Sequence, residues 1–155
     1  MKLQIVKCRC GSCGFEFNVP QIRSGSYGEF LLRGKSINSV AYLDAMGDKT
    51  YDEVDRLIKS DSRMSGKSAN VLAGVLRKSY GSIACDSDSE GSVFQIGAFP
   101  ACPSCGLQSV DYWEVVEPPE FIDIEVPPVT HMVWQSLSES EKKQKVGQVL
   151  SSLGY

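Results

Sequence analysis

Cys10-Gly11-Ser12-Cys13-Gly14 and Cys102-Pro103-Ser104-Cys105-Gly106 are built to one plan: two cysteines three positions apart, followed at once by glycine. A tight turn of that length brings both thiolates to one side. Backbone N–H groups within it can donate to the sulfurs, and glycine takes the positive φ that closes it. Pro103 fixes one torsion of the second turn in advance. A single such pair also occurs in redox motifs, but two with the same trailing glycine point to one metal ion held by Cys10, Cys13, Cys102 and Cys105.

Sequence on either side of each pair has β character. KLQIVKC before the first pair and FEFNV after it alternate as two strands of a hairpin, and SVFQIGA and VDYWEVV flank the second pair in the same way. With these segments in place, the chain resembles the zinc-ribbon and rubredoxin-like group, in which two such knuckles sit on facing hairpins around one tetrahedral metal. The resemblance covers residues 2 to 20 and about 92 to 116. It implies a structural zinc ion, or iron as a one-electron carrier in the same cage.

The chain departs from that group in having 88 residues between Cys13 and Cys102. Lengthening the loop from about 20 residues costs on the order of 1 kcal/mol in closure entropy. Structural zinc binding supplies roughly 10–16 kcal/mol, so the insertion is compatible with the site. Within it, SINSVAYLDAMG reads as a helix ended by Gly47, and TYDEVDRLIKS as a second with Thr50 and Glu53 as a capping box. SANVLAGVLRKSYG reads as a third, with Val71, Leu72, Val75 and Leu76 on one face and Gly81 past its end. The tail opens on a further capping box, Ser138 with Glu141, and carries Val146, Val149, Leu150 and Leu153 on an apolar face. EPPEFIDIEVPP alternates between proline pairs and is confined to a sheet edge or a surface crossing.

The expected fold class is α+β within one domain, 1–155. Residues 1–20 with 92–128 form a zinc ribbon of two knuckle-bearing β-hairpins, 21–91 a mainly helical insertion, and 129–155 a C-terminal helical tail.

At 155 residues and 42% hydrophobic content the chain can bury a real core without disulfides. No run approaches the roughly 18 apolar residues of a membrane span, and MKLQIVKCRC lacks the features of a secretion signal. The expected location is cytoplasmic, where six cysteines are better explained as ligands and packed thiols than as disulfides. Cys8 and Cys85 then fall outside the cage, as a strand residue and a small packed thiol.

The net charge of −3 is unevenly spread. Arg56, Lys59, Arg63, Lys67, Arg77 and Lys78 face only Asp61 between positions 56 and 78, and could track the phosphates of a nucleic acid. No aromatic residue lies among them for base stacking. From Cys102 onward three lysines meet eight acids. There Tyr112, Trp113 and Phe121, ringed by Glu114, Glu117, Glu120, Asp123 and Glu125, are candidates for an interface with a basic partner protein.

Other motifs do not hold. Both GKS tripeptides lack the first glycine of a phosphate loop, with Glu29 and Asp61 in its place. The calcium-like DSDSEG at Asp86–Gly91 has Gly97 where a bidentate glutamate belongs. His131 is the only histidine and is read as a packing or surface residue, and no carboxylate pair is selected by spacing. A four-thiolate cage is closed to substrate, which argues against catalysis. The functional expectation is a non-enzymatic zinc-binding interaction protein, of a size and acidity that suit a neutralising inhibitor or immunity-type protein; nucleic-acid binding and iron-based electron transfer are the alternatives.

Overall fold

The computed structural model describes all 155 residues. Its first sheet is organised around β1 (Lys2–Cys10). On one side β1 pairs antiparallel with β2 (Glu16–Gln21), from Gln4 opposite Gln21 to Arg9 opposite Glu16. On the other it pairs with two later strands, β6 (Val110–Val115) along Val6–Cys10 and β7 (Phe121–Asp123) along Lys2–Gln4. Short β7, between proline pairs, lies at the edge as its sequence requires.

A second sheet is formed by β3 (Glu29–Arg33) between β4 (Val40–Asp44) and the two-residue β5 (Gln95–Ile96). Here the helix expected in SINSVAYLDAMG is corrected to a strand. Its short apolar run fits either period, and pairing with β3 over five positions, with Ala41 and Leu43 buried, decides for the extended form. Residues 21–91 thus contain two strands beside their helices. The expected second hairpin is also corrected: β5 joins β3, and β6 joins β1, so the segments flanking the second cysteine pair go to different sheets.

The helices are α1 (Lys49–Ser60), α2 (Ala69–Ala84), a single turn α3 (Met132–Gln135) and α4 (Glu139–Ser152). The Ser138–Glu141 capping box forms as read. That of α1 does not: Asp48 is the N-cap, accepting from Thr50 and Tyr51, and Glu53 instead accepts from Trp134 Nε1 and Lys142 Nζ. Gly81 lies inside α2 and not past its end. A Cβ there would fall on the carbonyl oxygen of Phe94, so glycine is needed for helix–strand approach.

Two cores result. The larger has fifteen buried residues, including Leu32, Leu43, Ile58, Tyr80, Trp134 and Leu150, and joins the second sheet to α1, α2 and α4. The smaller consists of Val6, Cys8, Cys10, Phe17, Val19 and Cys102 under the first sheet. No helix is long and apolar enough to cross a membrane.

Candidate functional site: a four-cysteine centre beside an apolar groove

β1 delivers Cys10 at its last residue, and the turn that follows places Cys13. The second turn places Cys102 and Cys105. The two turns have matching hydrogen bonds. Cys10 N–H donates to Phe15 O and Cys102 N–H to Leu107 O, both at 2.9 Å. Ser12 N–H donates to Cys10 Sγ and Ser104 N–H to Cys102 Sγ, both at 3.4 Å. Gly14 and Gly106 share a φ of 77°, the conformation for which their sequence positions select glycine.

The four sulfurs lie within 4.8 Å of one another. Between the turns, Cys10 lies 3.6 Å from Cys105 and Cys13 3.6 Å from Cys102. Tetrahedral thiolates about 2.3 Å from zinc stand about 3.8 Å apart, so the donor set fits such an ion with little adjustment. Cys10 and Cys102 are buried while Cys13 and Cys105 are exposed, so one side of the centre is sealed by the smaller core. N–H groups of Cys13 and Ser12 draw the Cys10 thiol down to about 7. Although the Leu107 N–H favours its thiolate, burial and the neighbouring thiols push Cys105 up to about 11. A bound cation would remove this mutual penalty by neutralising the crowded sulfurs.

Cys8, as read, is a buried strand residue outside the cage. Cys85 is half-buried at the end of α2, and burial pushes its thiol up to about 12. His131 is buried. Nδ1 lies 2.8 Å from Ala84 O, and Nε2 lies 2.9 Å from Asp48 Oδ2 and 3.1 Å from Tyr80 Oη. It ties the start of α1 to the end of α2, a packing role.

The other candidate residues are dispersed. On β6, Trp113 stands opposite Cys8, while Tyr112 and Glu114 stand opposite Arg9 and Lys7 on the other face of the sheet. Tyr112 Oη donates to Glu114, Asp111 pairs with Arg9, and Asp123 pairs with the N-terminal amine. Lys2 lies over Phe121, and Glu117 and Glu120 are exposed in the link from β6 to β7. The acidic and aromatic residues therefore do not share one surface. The other tryptophan, Trp134, is buried in the larger core.

Four of the six basic residues are similarly occupied: Arg56 pairs with Glu139, Lys59 with Asp55, and Lys67 lies over the Tyr155 ring. Arg63 pairs with Asp61 and donates to Gly147 O, Ser151 Oγ and Tyr155 O, closing the end of α4. Lys78 is exposed on α2.

A groove of about 600 Å³ beside the four-cysteine cluster was not legible in the sequence. Val6 and Cys8 of β1, Trp113 and Val115 of β6, and Phe99 form one part of its lining, and the loop from Gln21 to Ser26 with Phe30 and Leu31 another. Trp113 is 63% exposed and Phe99 47%, both beside this space. The sequence signal, a tryptophan between Tyr112 and Glu114 in β6, acquires meaning only once β3 and β5 are known to face it.

No protein-family model, curated protein or solved structure matches the chain.

Proposed function

We propose that this chain is a non-enzymatic binding protein in which one structural zinc ion fixes the walls of a ligand groove. The observation that carries the reading is the continuity of the two features. β1 lines the groove with Val6 and Cys8 and ends in the ligand Cys10. Ile96 to Pro100 line it just before Cys102, and Val110, Trp113 and Val115 line it just after Cys105. An ion joining the two turns therefore holds the two walls at one separation.

A closed four-thiolate centre suits this supporting role, since it leaves no position for substrate. The apolar lining and volume suit a small ligand or a compact side-chain group. A basic protein partner, and with it a neutralising or immunity role, gains no support from the acidic strand, because Asp111, Glu114 and Asp123 already have partners in the chain.

Elemental analysis of the purified protein should find one zinc per chain in a colourless solution. NMR screening of a fragment library should then give shift changes gathered on Val6, Phe99, Trp113 and Val115, and chelation should abolish them. An iron-coloured preparation, or fragments that bind as well without metal, would overturn the reading.

A further inference from the structure

Six arginines are present in this chain, and they divide by location. Arg9, Arg56 and Arg63 each form an ion pair with an acid, respectively Asp111, Glu139 and Asp61. Arg23, Arg33 and Arg77 form none, and two of these three reach the groove. Arg23 and Arg77 line it from the β2–β3 loop and from α2. Arg33 Nη2 donates to Pro20 O at 2.8 Å, next to the groove residue Gln21.

Arg33 is the anomaly. It is only 3% exposed and its Nε is buried with no partner. Burial disfavours its charge, yet a guanidinium does not give up its proton in a protein. A cation without an acid partner is therefore fixed beside the groove residue Gln21, where low dielectric extends its reach. The only carboxylate lining the groove is Glu29, which already accepts from Tyr42 Oη at 2.7 Å. In a chain of net charge −3 this is a locally positive recess.

Resting on the reading of this groove as a ligand site, we infer that its ligand is a small organic anion with a flat apolar body, the body lying against Trp113 and Phe99 and the anionic group turned to Arg23 and Arg77. The ligand's charge would face two unpaired surface guanidinia and offset the buried charge of Arg33. The aromatic rings would accept a planar body by stacking. A cation of the same shape would meet the three arginines unfavourably.

A matched pair of probes separates charge from shape: 1-anilinonaphthalene-8-sulfonate, and N-phenyl-1-naphthylamine, which has the same ring body without the sulfonate. Fluorescence titration of the metal-loaded protein should show one saturable site that holds the sulfonate at least about tenfold tighter than the amine, weakening as salt rises. The double variant Arg23→Gln/Arg77→Gln changes two exposed side chains. It should lose about tenfold in sulfonate affinity, keep its affinity for the amine, and keep its thermal midpoint. Trp113→Ala should weaken both probes. Equal binding of the two probes, or undiminished sulfonate binding by the double variant, would overturn the anion inference while leaving the groove as a site. Saturable binding of neither probe, or binding insensitive to Trp113→Ala, would remove the groove as well.

Discussion

Removing the metal tests the clamp because the two cores differ in what else holds them. The smaller core contains three large apolar side chains, Val6, Phe17 and Val19, and its remaining members are Cys8 and the ligands Cys10 and Cys102. Burying three such side chains contributes roughly 5–9 kcal/mol in gross terms. A structural zinc ion held there would contribute about 10–16 kcal/mol, the largest single contribution to this region. The larger core of fifteen buried residues includes none of the ligands. A chelator should therefore release hydrogen-exchange protection along β1, β2 and β6 while α1, α2 and α4 keep theirs. The two tryptophans report separately: the fluorescence of Trp113, on β6, should change, and that of Trp134, 1% exposed, should stay native. Protection in β1 that survives verified metal loss would show that the small core suffices without the ion. Loss of helix protection in step with the sheet would refute the independence of the two cores.

Further perturbations address the larger core and its charges. His131→Ala removes one of the partners of half-buried Asp48 and frees Ala84 O, and should cost about 1–3 kcal/mol in urea unfolding. Gly81→Ala drives a methyl into Phe94 O and should cost about 1–3 kcal/mol or more, with faster exchange in β5. Asp86 is held below the usual carboxylate range; burial opposes this, but hydrogen bonds from Thr130 and the N–H groups of Val133 and Met132 outweigh it. Asp48 is lowered in the same sense, burial again opposed, by His131, Tyr80 and Thr50. Their folded pKa values lie below the unfolded ones, so this stability is complete above about pH 4 and lost as pH falls through the folded values. The urea midpoint should drop below about pH 4, and less steeply in Asp86→Asn. Arg63→Ala should loosen the end of α4, detectable as faster exchange at Leu150–Leu153, because its guanidinium holds Gly147, Ser151 and Tyr155.

Spacing and local chemistry were enough for the parts of this protein whose cause is local. Two cysteines three apart with a trailing glycine dictate a turn that any chain can form, and both turns formed with the same φ at glycine. The Ser138–Glu141 box fixed the start of α4 for the same reason. Local sequence failed where a distant partner chose between alternatives. Val40–Asp44 became a strand because β3 was there to pair with it, and Gly81 entered a helix because Phe94 approaches it.

The four-cysteine cluster was thus legible in the sequence alone, since metal geometry demands residue types and spacing that few other structures require. What tertiary structure decided was their neighbourhood: β5 leaves the second cysteine pair for the other sheet, Trp113 and Tyr112 turn to opposite faces, and two arginines without acid partners line one groove. A charge in sequence has no partner until the chain is folded, so which arginines stay unpaired is a property of the packed molecule.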